Sequence, residues 1–191
     1  KAPKNDKWKA KYKEPTAPDT ADLPELPAGW IWTTLGSVLL GIEAGKSFKC
    51  EERPPREEEV GVVKVSAVTW GEFDEAESKT CLDGSPISEN LFVRKGDFLF
   101  SRANTIELVG ACVIAKEVNR NVMLSDKILR FGVVDGFDEW VLYCLRSPQG
   151  RAEIERLATG NQESMRNIGQ ERIRAIRIPL PPNRERDRIV T

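Results

Sequence analysis

Three hydrogen-bonding side chains, Ser101, Arg102 and Asn104, follow directly on the apolar run Phe98-Leu99-Phe100. The run reads as a short buried strand, and Gly96-Asp97 before it as the turn that delivers it. Polar groups set where a buried strand leaves the core make an edge able to read a polar ligand. Read locally, the pattern is also that of an ordinary hairpin in a β-rich domain, since a second strand follows within a few residues, from Val109 to Ile114. Two further polar groups lie later in the chain. Ser125-Asp126-Lys127 separates two apolar segments and is placed either to line the same edge as Arg102 and Asn104 or simply to turn. Residues 159–168, Thr-Gly-Asn-Gln-Glu-Ser-Met-Arg-Asn-Ile, are rich in amides and hydroxyls. Asn and Gln can pair bidentately with adenine edges and Arg with guanine, so this stretch has the chemistry of direct base readout, and equally that of any surface loop.

Catalysis is poorly served by contrast. The chain has no His in 191 residues, which removes the commonest general base, the commonest metal ligand and every Ser-His or Cys-His scheme. Cys50, Cys81, Cys112 and Cys144 are far apart in sequence and include no CxxC pair, which argues against a zinc site and suits reduced thiols in a cytosol. Gly45-Lys46-Ser47 invites comparison with a phosphate loop, but the GxxxxGK[ST] pattern needs a glycine at position 40, where Leu40 stands. Binding is the default activity; a Ser-Lys or carboxylate mechanism is the enzymatic alternative.

The elements that must hold these groups can be read from periodicity and breakers. Residues 1–25 are Lys- and Pro-rich with few aliphatics, too little to offset chain entropy, and read as a basic linker with Trp8 and Tyr12 as candidate docking points. The folded part begins at residue 26, where alternation puts Trp30 and Trp32 on one face of a short strand. Leu35 to Leu40 suggests a helical turn ended by Gly41 and Gly45, followed by a polar, Pro-interrupted loop. Val60 to Thr69 reads as one strand, residues 74–90 as loop, and Ile128 to Val134 as strand. Trp140, Tyr143 and Cys144 repeat at helical spacing, with Asp135 or Asp138 as N-cap. Ser147-Pro148 starts a second helix that Thr159-Gly160 ends. Gln170 to Ala175 suggests a short helix, Arg177 to Pro182 an extended exit, and Arg184 to Val190 a further helix. The expected class is α/β in the α+β sense: a twisted mixed β-sheet or partly closed barrel with a few packed helices. No apolar run approaches the ~20 residues of a membrane span, and the start at Lys1, with no apolar leader, suggests a piece of a longer polypeptide.

Net charge is −1, yet residues 1–13 carry a net of +5 and residues 145–191 a net of +4, leaving −10 between them. Binding to a polyanion depends on the local field, so the whole-chain value does not exclude nucleic acid. Solvated charged faces would give the same asymmetry.

The order of several segments resembles one target recognition domain of the specificity subunits of type I restriction-modification systems. The segments are Leu26-Pro27-Ala28-Gly29-Trp30-Ile31-Trp32 with Leu35-Gly36, Lys64 to Thr69 with Gly71, Gly96 to Arg102, Leu108-Val109-Gly110, Leu124-Ser125-Asp126, and Ile178-Pro179-Leu180-Pro181-Pro182 leading to Ile189-Val190. The resemblance implies a recognition domain over residues 26–182 and the start of a conserved spacer helix over 183–191. There the chain departs from the family pattern: Asn183 replaces a hydrophobic residue, Glu185 is kept, and Arg186 replaces Gln. It further implies a non-catalytic domain that binds double-stranded DNA and reads one half of a bipartite target in a prokaryotic cytoplasm. Partner modification subunits would bring S-adenosylmethionine and methylate adenine, and a restriction subunit would bring ATP, Mg and cleavage, with no cofactor in this chain and no membrane contact. On that reading Lys46, Lys49, Lys64, Arg166, Arg172 and Arg174 position the domain on phosphates. Arg102, Asn104, Asn161, Gln162 and Asn167 read bases, and Lys127 completes the DNA-binding set. The competing expectation is a non-catalytic protein-protein interaction module using the acidic middle and basic ends.

Overall fold

The computed structural model describes residues 17–190 except Asp83 and Glu163; the candidate docking residues Trp8 and Tyr12 lie outside that range. In chain order the elements are β1 (Ile31–Thr34), β2 (Leu39–Ala44), β3 (Cys50–Glu51), β4 (Gly61–Val63), β5 (Ser78–Cys81), β6 (Phe98–Ser101), β7 (Ala103–Asn104), β8 (Cys112–Ile114), β9 (Val122–Met123) and β10 (Ile128–Val133). Two helices follow, α1 (Asp138–Arg146) and α2 (Pro148–Leu157), then β11 (Thr159–Gln162), β12 (Met165–Asn167), α3 (Gln170–Arg174), β13 (Arg177–Leu180) and α4 (Asn183–Val190). The class is α+β, as expected. Its strands form four small sheets, with no closed barrel among the described residues. An antiparallel sheet runs β2-β10-β6-β8, a mixed one β3-β5-β4-β9 with β4 and β9 parallel, a three-stranded one β11-β12-β7, and β1 pairs with β13.

Strand β6 explains why its sequence is an unbroken apolar run. Side chains alternate between the two faces of a strand, and here both faces are covered. Phe98 and Phe100 enter a core with Phe131, Trp140, Leu145, Ile154 and Ile173, under the helices. Leu99 enters a second core with Val63, Val68, Val113, Leu124 and Ile128, against the mixed sheet. The Phe100 and Phe131 rings stack at 4.9 Å, and truncation at such a site costs roughly 3–5 kcal/mol. Asp97 fixes the entry to this strand. Its Oδ2 accepts from the Arg94 amide at 2.8 Å and from Arg130 Nη1 at 2.9 Å, one of the partners, with Glu43, of the arginine between apolar neighbours on β10.

The other apolar anchor joins the two ends of the fold. β1 lies against β13, the Trp30 and Trp140 rings meet edge to face at 5.8 Å, and Trp30 Nε1 donates to Glu185 on α4 at 3.0 Å. Residues 17–25, expected as part of a linker, are docked by charge: Arg177 Nη1 donates to the Asp19 carbonyl at 2.8 Å and to Asp22 Oδ1 at 2.5 Å. Arg177 is itself buried against Glu153 of α2, Nε to Oε2 at 2.9 Å.

Several local expectations need correction. Leu39 to Ala44 is strand and continues through Gly41, because β10 pairs along it; the helical turn is confined to Leu35–Ser37. The run expected as strand from Val60 to Thr69 is strand only at Gly61–Val63, then a 3-10 turn over Val65–Ala67. Ser78–Cys81, expected as loop, is a strand between β3 and β4. Helix α1 begins at Asp138 after Phe137, with no side-chain cap. Helix α2 is capped as expected, Ser147 Oγ accepting from the Gly150 amide at 3.0 Å. It ends at Leu157, because Thr159–Gln162 turns into a strand.

Candidate nucleic-acid interface

The stretch read as an amide-rich loop is a β-hairpin. Its first strand is exposed along its whole length, and β12 docks onto β7, with Arg166 opposite Asn104 and Asn167 opposite Ala103. Polar strands this exposed gain little from burial, so pairing to β7 and side-chain bonds must hold the ribbon. Arg166 supplies two: Nη1 donates to the Gly160 carbonyl at 2.9 Å and Nη2 to the Ala158 carbonyl at 2.8 Å. Gly160 has φ +125°, and a Cβ there would stand 2.4 Å from the Met165 carbonyl oxygen, so the close approach of the two strands requires glycine.

The hairpin joins polar groups that are far apart in sequence. Arg102 Nη2 donates to Asn167 Oδ1 at 3.2 Å, and the Ile168 amide donates to the Arg102 carbonyl at 2.9 Å. Asn104 Oδ1 accepts from the Thr105 amide at 2.9 Å. Arg102, Asn104, Asn161, Gln162, Arg166 and Asn167 therefore belong to one three-stranded edge. Ser101, the third polar residue after the apolar run, is fully buried and contributes nothing to that surface.

A cavity of about 630 Å³ adjoins this edge, lined by Lys46, Lys64 and Lys127 together with Lys79, Ser47 and Ser125. The link is direct: the Arg102 amide donates to the Lys127 carbonyl at 2.9 Å, so the cluster 125–127 does border the edge of Arg102. Gly45 lies tight against the chain at Leu124 and Ser125, a Cβ there falling 2.2 Å from the Leu124 carbonyl oxygen, and this apposition brings Lys46 to the cavity. The lysines have acidic neighbours, Lys64 with Glu77 at 3.8 Å, Lys79 with Glu52 at 2.5 Å and Lys127 with Asp126 at 3.2 Å. Such solvent-exposed pairs contribute about 0–1 kcal/mol, little enough for an ammonium to change partner to a phosphate.

The remaining sequence-selected residues stand apart. Lys49 is exposed and does not line the cavity. Arg172 and Arg174 lie on α3, Arg172 donating from Nη1 to the Leu157 carbonyl at 3.0 Å and Arg174 packed beside Gly36. Lys79 and Met165 were missed. Lys79 sits on the strand whose Ser-Lys-Thr-Cys sequence lacks apolar alternation, and Met165, 58% exposed, carries no polar signal. No group of three or more potential metal ligands occurs among the described residues, and no helix among them is long and apolar enough to cross a membrane.

Comparison with known proteins gives these features a family. No family model matches the chain. The specificity subunit of the type I restriction enzyme EcoEI, from Escherichia coli, is 34% identical over 179 residues, covering 91% of this chain and 30% of that protein. Among solved structures, the type I restriction-modification S subunit from M. genitalium superposes with a TM-score of 0.55 at 16% identity, over 87% of this chain and 39% of that one. The HsdS subunit from Thermoanaerobacter tengcongensis gives 0.51 at 20% identity, over 89% and 37%. A chain from a structure of type I restriction-modification complex assembly gives 0.57 at 22% identity, over 89% and 38%. These structures share the fold, and the curated relative shares sequence along nearly all of this chain, which spans 30% of its length. The chain belongs to the family of type I restriction-modification specificity subunits.

Proposed function

We propose that this chain is a target recognition domain that binds double-stranded DNA and reads one half of a bipartite site. It carries no chemistry of its own; modification subunits holding S-adenosylmethionine methylate adenine, and a restriction subunit using ATP and Mg cleaves, in a prokaryotic cytoplasm. The reading is supported by the family and by one observation above all. An exposed two-stranded ribbon, pinned to a buried strand through Arg102 and Asn167 at 3.2 Å, gathers three amides, a guanidinium and their neighbours beside a lysine-lined cavity. A two-stranded β-ribbon fits the DNA major groove, where amides match adenine and guanidinium matches guanine. Lysines alongside supply the phosphate contacts that fix register. Lys46, Lys64 and Lys127 take that role, with Lys49, Arg172 and Arg174 on flanking surfaces; Arg166 acts chiefly by holding the ribbon. Residues 183–190 begin the spacer helix.

The test is replacement of Asn161 and Gln162 by Ala in the assembled methyltransferase. Loss of a bidentate contact costs about 1–3 kcal/mol, so modification should fall at the target and discriminate less well against single-base variants. Unchanged modification at the target and at every variant would remove the assignment.

A further inference from the structure

Met165 is a large apolar side chain left 58% exposed on the hairpin, and amide and guanidinium readout supplies no role for it. It lies on β12 directly opposite Gln162, and both side chains are exposed. Residues directly opposite in an antiparallel pair point to the same face, with Cβ atoms about 4.5–5.5 Å apart. The thioether and the amide therefore stand side by side. Asn167, two residues along the strand, shares that face and holds Arg102. The register of β11 shifts between Thr159, opposite Asn167, and Gln162, opposite Met165. Four residues of β11 thus span three of β12, and the extra residue brings Gln162 into line.

The major groove displays donors, acceptors and a single apolar group, the 5-methyl of thymine. On an A·T pair that methyl adjoins the adenine N6/N7 edge, which a Gln amide takes bidentately. We propose that Gln162 and Met165 read one A·T pair as a unit, the amide on adenine and the Met165 side chain on the thymine methyl. The proposal rests on the DNA-recognition reading above and on entry of the ribbon into the major groove. Methionine suits the task, since an unbranched, polarizable chain adapts its shape to a methyl group.

The test uses the intact specificity subunit assembled with its modification subunits, as wild type and with Met165→Ala or Gln162→Ala, in a host lacking adenine methylation of its own. Sequencing maps the methylated motif. One position that is A·T in the wild-type motif should become degenerate in both variants, at the same place in each. On duplexes carrying the motif, changing that thymine to uracil removes only the methyl. This should weaken wild-type binding roughly fourfold, from the ~0.8 kcal/mol of one buried methyl-sized group, and leave binding by the Met165→Ala complex unchanged. Binding decides the matter even if that variant no longer turns over. The proposal is overturned if Met165→Ala keeps the wild-type motif, if the two variants relax different positions, or if uracil weakens both complexes alike. Replacing Asn161, Gln162, Met165 and Asn167 together by Ala separates the two levels. If the motif survives that change, base reading by the hairpin falls; if it is lost while Met165→Ala has no effect, only the Gln162–Met165 unit falls.

Discussion

The Arg102 guanidinium meets the Asn167 side-chain oxygen at 3.2 Å across 65 residues of sequence. The backbone of the same arginine bonds to Lys127 on one side and Ile168 on the other. Buried strand, exposed ribbon and lysine cavity thus converge on one residue.

Arg102→Ala in the assembled complex should therefore cost about 1–3 kcal/mol in target affinity and relax discrimination at one base pair. Arg102→Lys should not restore it, because an ammonium cannot reproduce the planar fork of donors. Competition binding against single-base variants of the target reads both effects.

Lys46→Ala and Lys127→Ala should weaken binding to all duplexes by similar factors. Each should lower the slope of log affinity on log salt by about 1. A salt titration of target and unrelated duplex separates this from a base contact, which would change the ratio between the two.

Arg166→Ala removes both bonds to the Ala158 and Gly160 carbonyls. Hydrogen bonds from a charged donor contribute about 1.5–3 kcal/mol, so hairpin opening should become easier by that order. Amide hydrogen exchange should accelerate across 159–167 and stay slow in β6 and β10.

Glu153 contributes to the acid limit. Burial pushes its carboxyl up, but hydrogen bonds from Arg177 and Arg156 outweigh burial and hold it down to about 2. A carboxylate depressed in the folded state stabilises fully above its unfolded value and loses that contribution as pH falls through the folded one. Stability should hold from neutrality to about pH 4.5 and drop between there and about pH 2. Glu153→Gln should flatten that drop and destabilise the fold at pH 7, by less than the roughly 3–5 kcal/mol of a stranded buried charge, because Arg177 keeps its ion pair with Asp22. Denaturant melts of both proteins at several pH values check it.

What the sequence disclosed follows from where the deciding interactions lie. Phe98-Leu99-Phe100 and the Ser147-Pro148 start are legible because alternation and capping act within a few residues. The hairpin at 159–167 is not, because its strands carry no apolar alternation and exist by pairing to β7, far away in sequence. β2 is hidden by Gly41, which tolerates strand only because β10 pairs across it. Cys50 and Cys81, far apart in sequence, face each other across β3 and β5, which only the register of that sheet determines. The chemistry of Arg102, Asn104, Gln162 and Asn167 could be read from side-chain type; their meeting on one edge could not.

The pairing of β1 with β13, Ile31 opposite Leu180 and Thr34 opposite Arg177, has a consequence for how such a unit changes hands. Its entrance and exit lie along one seam, so the stretch between can be lifted out of one polypeptide and set into another with no gap to bridge. On the DNA-recognition reading proposed above, whatever the hairpin discriminates should travel with it as a cassette, so that a host protein would acquire a new preference by exchange of the whole piece while its own scaffold stayed as it was.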